Sequence, residues 1–162
     1  MKKVIVIGCP GSGKSTFSRK LRDKTALPLF CLDKIWHKAD RTTVTREEFD
    51  NALGKILNGD AYIIDGNYNR TLERRFADCD TVIWMNIPIT ECIKGVESRI
   101  GKEREDMPWV ETEFSSDFRE WIEGFPERET PKILSLIEKY KSEKCIVILR
   151  SHAESQRFIE EL

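Results

Sequence analysis

Short runs of apolar, β-branched residues alternate along this chain with longer segments whose apolar positions recur every three or four residues. Five runs have strand character: Lys3–Ile7, Leu29–Leu32, Tyr62–Ile64, Thr81–Met85 and Cys145–Leu149. Val4-Ile5-Val6-Ile7 contains no polar residue, as expected of a strand buried on both faces of a parallel sheet. Between the runs the period changes to that of a helix. Phe17 and Leu21 lie four apart, Phe49, Leu53, Ile56 and Leu57 share a face of Glu47–Leu57, and Thr71–Phe76 reads as a shorter helix. Pro88 opens a segment through Ile93, Val96 and Ile100, and Pro131 opens Lys132–Tyr140 with Ile133, Leu136, Ile137 and Tyr140 on one stripe. Proline suits a first helical turn, where its missing N–H costs nothing. Glu154–Leu162 closes the chain as a short helix.

Strands alternating with helices predict an α/β fold: a three-layer αβα domain around a five-stranded parallel sheet with right-handed crossovers. Two stretches fall outside that rhythm, one at about residues 34–60 and one at about 101–114. Ligands of open α/β sheets sit beyond the carboxyl ends of the strands. Insertions leaving from those ends are therefore candidates for an acceptor pocket and a short lid.

The turn after the first run carries the most specific chemistry. Gly8 to Ser15 reads Gly-Cys-Pro-Gly-Ser-Gly-Lys-Ser, a complete G-x-x-x-x-G-K-[ST] phosphate-binding loop between a strand and a helix. Gly8, Gly11 and Gly13 let the backbone turn tightly and bring its N–H groups against phosphate oxygens. The helix N-terminus adds further donors and a partial positive charge. Lys14 reaches the outer phosphates, the Ser15 hydroxyl ligates Mg²⁺, and Ser12 and Thr16 complete the nucleotide-contacting set. ATP and Mg²⁺ are the cofactors this loop implies.

Composition narrows the setting. At 162 residues with 40% hydrophobic and 34% charged residues, the chain suits one soluble domain. A net charge of −1 argues against a protein whose main task is gripping nucleic acid through its phosphates. No apolar stretch reaches the roughly 18 residues of a membrane span, and the N-terminus runs straight into the first strand, leaving no room for a signal peptide. Cys9, Cys31, Cys79, Cys92 and Cys145 show no paired or metal-ligand spacing. Scattered thiols fit a reduced compartment, and the cytoplasm is the expected location.

Two aspartates end strands on the phosphate side. Asp65 follows Ile63-Ile64 and is assigned with Ser15 to the metal shell; Asp33 follows Leu29–Leu32 and is assigned to acceptor binding or base duty. Strand-end aspartates also cap turns, which is the structural alternative for both. Gly66 and Arg70 follow Asp65, and Arg70 can hold an acceptor phosphate or carboxylate bidentately or simply start a helix. Trp36 can stack on an acceptor ring or anchor the insertion. Arg99 and Arg104 are candidates for closing over the triphosphate, although Glu97, Glu103, Glu105 and Asp106 interleave as they would on a solvated face. His37 and His152 have no assigned role.

The phosphate loop, Tyr62-Ile63-Ile64-Asp65-Gly66, and Asp80–Trp84 followed by Ile87-Pro88 together resemble the adenylate kinase superfamily of small P-loop kinases. Within it, Cys31–Trp36, Ile64–Tyr68 and the closing Leu149-Arg150-Ser151 resemble the FlaR-like branch, the topology modulation proteins, over nearly the full length. The resemblance implies an adenylate kinase-like sheet, an acceptor-binding insertion and an arginine-bearing lid. Adenylate kinases place an arginine four residues after the aspartate; here Arg70 stands five after Asp65, and Asn67-Tyr68-Asn69 replaces a Phe-Pro pair. AMP is therefore not carried over as acceptor. The expectation is an ATP- and Mg²⁺-dependent kinase of a nucleotide or other small metabolite. The alternatives are a nucleotide-dependent regulator that binds DNA or protein, and a P-loop ATPase whose acceptor is water.

Overall fold

The computed structural model describes residues 1–162. In chain order its elements are β1 (Lys3–Gly8), α1 (Lys14–Thr25), β2 (Leu29–Cys31), α2 (Leu32–Trp36), α3 (Arg46–Leu57), β3 (Tyr62–Asp65), a 3₁₀ turn (Asn69–Thr71), α4 (Leu72–Asp78), β4 (Thr81–Met85), α5 (Ile89–Arg99), α6 (Ser116–Glu123), α7 (Phe125–Arg128), α8 (Thr130–Tyr140), β5 (Cys145–Leu149) and α9 (His152–Glu160). The five strands form one sheet in the order β2-β3-β1-β4-β5, and every pairing is parallel. The five-stranded α/β expectation is met.

The most apolar run takes the middle. Val4 to Ile7 are wholly buried between β3 and β4, so β1 delivers its C-terminal turn to the centre of the sheet's carboxyl edge. Registers Val6↔Asp65 and Cys31↔Asp65 bring the ends of β1, β2 and β3 level, which sets the loop, Asp65 and Asp33 side by side. Helix α3 begins with a reciprocal cap: Glu48 N–H donates to Thr45 Oγ1 at 3.1 Å while Thr45 N–H donates to the Glu48 carboxylate at 2.7 Å.

Boundaries shift where side chains cap or pack. The second strand stops at Cys31, one residue early, because Leu32 already turns into α2. Helices α6 and α7, over a stretch whose periodicity was not assigned from the sequence, have clear local causes. Ser115 caps α6 by accepting from Phe118 N–H at 3.2 Å, and Ile122 and Phe125 are buried in the core. No helix is long and apolar enough to cross a membrane.

One contact fixes the phosphate loop on the helical layer. Gly11 has φ of 78°, and a Cβ there would run into the Cys92 carbonyl of α5. A Cβ on Gly95, inside α5, would run into the Gly11 carbonyl. Two backbones therefore meet with no side chain between them. Replacing a helical glycine by alanine ordinarily gains up to about 1 kcal/mol. Gly95→Ala is expected to reverse that sign, losing about 1–3 kcal/mol by overpacking and lowering Tm by several degrees. Gly54→Ala in α3, whose new methyl meets only the movable end of Arg74 at 3.0 Å, is expected to stabilise. Thermal melts of the two variants beside wild type check the pair.

Candidate active site

The loop between β1 and α1 wraps an anion-sized hollow. Gly13 lies in the left-handed region at φ 88° and caps α1, whose first turn has neither a side-chain cap nor an acidic residue. The free N–H groups of that turn point where a phosphate would sit. Lys14 Nζ donates to the Cys9 carbonyl at 2.9 Å, which folds it along the loop. His152, at the start of α9, places Nε2 3.2 Å from the Ser12 carbonyl and lines the same cavity.

Three carboxylates face this loop in different electrical settings. Asp65 is 4% exposed and one of its oxygens has no hydrogen-bond partner. Burial, offset only in part by Lys14, raises its carboxyl to about 6. Asp33 sits in the first turn of α2 and accepts the Tyr68 hydroxyl at 2.8 Å. Asp106, from the irregular segment after α5, is 3% exposed and accepts from Ser15 Oγ at 2.9 Å. Burial would raise Asp106 too, but Arg104 grips it through Nε at 3.1 Å and an Nη at 2.5 Å and holds it down at about 2.

The lid arginines form one knot. Arg104 also pairs with Glu111 at 2.8 Å, and Arg99 pairs with the same Glu111 oxygen at 2.7 Å. Of the interleaved acids only Asp106 partners a lid arginine; Glu97, Glu103 and Glu105 are exposed, as on a solvated face, and the second partner is Glu111.

A third wall follows β3. Arg75 of α4 is fully buried and donates to the carbonyls of Gly66, Asn67 and Tyr68 at 2.7, 3.0 and 2.9 Å. Burial lowers it to about 10, so it stays a cation at neutral pH and ties down three consecutive carbonyls. The loop so held presents Asn67, Tyr68 and Asn69. Asn69 Nδ2 donates to Glu129 of the α7–α8 junction at 2.6 Å, and Asn67 Nδ2 donates to the same oxygen at 3.4 Å.

Loop, lid and wall border one open cleft of about 960 Å³, which Lys14, Ser15, Asp33, Asp65, Arg99 and Arg104 all line, together with Gly8, Gly11, Gly13, Thr16 and Gly66. Ser12 is wholly buried behind the loop. Trp36 is not among the lining residues; it packs edge-on against Phe49 and Tyr68, with centroids 5.7 and 6.3 Å away. Arg70 is also absent from the lining and clasps Asp50 of α3 at 2.6 and 2.9 Å. Asp106, Glu129, His152, Tyr68 and Arg75 were not assigned roles from the sequence. Their partners lie 7 to 140 residues away, beyond what local pattern reports.

The donors suit a hard cation. No three His, Cys, Asp or Glu side chains converge to cage a metal. Mg²⁺ asks for less, keeping several waters and taking one or two protein oxygens beside substrate phosphates. The Ser15 hydroxyl and the unpartnered, buried Asp65 oxygen offer that pair.

The architecture is that of the P-loop NTPases. Solved structures it matches include a shikimate kinase from Bacteroides thetaiotaomicron, with a TM-score of 0.59 and 13% identity over 98% of this chain and 94% of that one. A shikimate kinase from Acinetobacter baumannii in complex with shikimate matches with a TM-score of 0.54 and 12% identity, over 99% of this chain and 90% of that one. No protein-family model matches the sequence, and no curated protein matches it significantly.

A buried carboxylate whose neighbours only partly offset its loss of water weakens the fold it belongs to. Asp65→Asn is expected to stabilise the protein at neutral pH by on the order of 2 kcal/mol. Because the folded carboxyl titrates near 6 and the ordinary value is 3.8, the folded state binds more protons between them. Wild-type stability therefore falls as pH rises through that window. The advantage of Asp65→Asn should vanish below about pH 4 and be complete above about pH 6, read by urea unfolding across the range.

Proposed function

We propose that this protein is an ATP- and Mg²⁺-dependent phosphotransferase whose acceptor is a small hydroxyl-bearing metabolite. The observation that carries the reading is the shared cavity: a phosphate loop, an arginine lid and a polar wall with Asp33 face one cleft. A bare ATPase has no need of that wall. The likeness to shikimate kinases supports a small-molecule kinase through the fold. The likeness to topology modulation proteins rests on the sequence segments alone.

In this reading the backbone N–H groups of Gly11, Gly13 and the first turn of α1 hold the donor phosphates, with Ser12 and Thr16 flanking them and Lys14 swinging from the Cys9 carbonyl to the outer phosphates. Ser15 and Asp65 hold Mg²⁺, which when bound neutralises phosphate charge and orients the donor. The hydroxyl of Tyr68 occupies one oxygen of Asp33, leaving the other to orient the attacking hydroxyl and take its proton. Gly66 starts the acceptor wall. Arg99 and Arg104 exchange carboxylates for phosphate oxygens, an anion for an anion, so both reach the transition state already desolvated and aimed. Residues 101–114 act as the lid that excludes water. Trp36 serves the acceptor pocket by bracing Tyr68. Arg70 contributes by holding the β3–α4 loop to α3 through Asp50.

Lys14→Ala is expected to lower phosphotransfer by about a hundredfold or more, on the scale of losing one preorganised charge. Wild-type ATP binding and turnover in that variant would overturn the assignment. Asp106 sits on two groups the nucleotide needs, Ser15 and Arg104. Asp106→Asn is expected to tighten MgATP binding by roughly threefold to tenfold, because less of the protein is held in the competing arrangement. Calorimetric titration of both proteins checks this, and weaker binding would make Asp106 a contributor to the nucleotide site instead of its competitor.

A further inference from the structure

Charge and hydrogen-bonding capacity are divided sharply across the cavity. Its lysine and arginine lining comes from the phosphate-loop side and the lid: Lys14, Arg19, Arg99 and Arg104. Away from these cations the lining holds Asp33, Asp117 and Glu129 among neutral polar residues, while Asp106 and Glu111 accompany the lid arginines. Arginines on the elements of the polar wall are committed elsewhere. Arg70 is clasped to Asp50, Arg75 is spent on three carbonyls, Arg119 of α6 pairs with Glu97 and Glu123, and Arg128 is held by Glu129 and the Trp121 carbonyl at 3.0 and 2.9 Å.

The wall's donors are committed in the same way. Asn67 and Asn69 turn their Nδ2 groups onto Glu129, and the Tyr68 hydroxyl is turned onto Asp33. What remains are acceptors. Asn67 Oδ1 is buried and unpartnered on a residue that lines the cavity, whereas the open oxygen of Asp65 is taken by Mg²⁺ in the phosphotransferase reading. Asp117 adds an uncompensated carboxylate at the rim in the first turn of α6. An anion entering here would shed water against carboxylates with no guanidinium to receive it. Hydroxyls and an ammonium are donors and match such acceptors.

Building on the phosphotransferase reading, we propose that the acceptor is a polyhydroxylated ring compound bearing an ammonium group and no carboxylate or phosphate, of the amino sugar or aminocyclitol class. Asp33 takes the reacting hydroxyl, Asn67 Oδ1 a second, and Asp117 faces the ammonium. The balanced step is transfer of the γ-phosphoryl group from ATP to that hydroxyl. The O–P bond to ADP breaks, a new O–P bond forms, and the hydroxyl proton leaves by way of Asp33.

The test uses purified protein with ATP and Mg²⁺ and a matched set of acceptors: glucosamine, glucose, glucuronate, 2-deoxystreptamine and shikimate, scored by phosphorylated-product mass and initial rate. The expected result is product from an ammonium compound with kcat/KM at least about tenfold above either carboxylate. Glucuronate or shikimate turned over as well as the amines would overturn the acceptor class and leave the kinase standing. Absence of product from both amines, with MgATP binding that depends on Lys14 intact, would also overturn it. Failure of MgATP binding itself would instead remove the phosphotransferase reading. Asp117→Lys, on an exposed helical turn, is expected to shrink the amine-over-carboxylate ratio at least about fivefold. An unchanged ratio counts against the role of Asp117 and the charge argument with it.

Discussion

The meeting of Gly11 and Gly95 backbones is the constraint on which the rest of the site hangs. A phosphate loop is a run of donors with little packing of its own, and its shape must be imposed from outside. Here β1 imposes one end, because its wholly buried strand cannot slide between β3 and β4. Helix α5 imposes the other by pressing backbone on backbone at Gly11. The same closeness sets where α5 runs, and hence where its last residue, Arg99, stands. From Arg99 the chain turns back over the loop, and Asp106 reaches Ser15. Loop and lid are thus positioned by one contact.

Asp65 and Asp106 show how environment separates two acids of the same intrinsic strength. Both are nearly buried and both face the loop. Asp106 has a guanidinium on two edges and stays ionised far into acid, whereas burial raises the Asp65 carboxyl and Lys14 offsets this only in part, leaving one oxygen without a partner. The first is a pair that is complete; the second is half of one. A cation satisfies the second without disturbing the fold, while an incoming phosphate must displace the first. Stability and ligand binding oppose each other at Asp65, as is common where a fold holds a charge ready for a partner.

The parts that local chemistry dictates were legible in the sequence. Strand runs such as Val4–Ile7 need only burial to be strands, and Gly8–Ser15 needs only a strand before it and a helix after it. Asp33 and Asp65 followed from strand ends, and both line the cavity. What was hidden depends on partners far along the chain. Arg75 looked like any helix arginine until its carbonyl partners closed around it. Asp106 looked like one acid in a charged run, and its meaning comes from Ser15, ninety-one residues away. His152 needed the parallel order of β1, β4 and β5 to arrive at the loop. Arg70 shows the converse: a side chain well suited to an anion by type was claimed by Asp50, because α3 packs close enough to offer one.

That last case bears on how a fold at 12–13% identity to shikimate kinases acquires its own substrate. In the proposed reading the sheet, the loop and the start of α1 serve the donor, whose phosphates present the same chemistry to any P-loop fold. The acceptor wall is assembled from other segments: the turn after β3, the start of α2, α6 and the α7–α8 junction. None of these sets the sheet, so their donors and charges can change without cost to the core. In this chain Asp50 draws one arginine outward, Glu129 draws two amides and another arginine to itself, and burial turns a third arginine onto backbone. Each internal bond removes a donor that an anionic acceptor would require. On the proposed reading, the wall selects through what it has already satisfied, and the acceptors left over set the partner it takes.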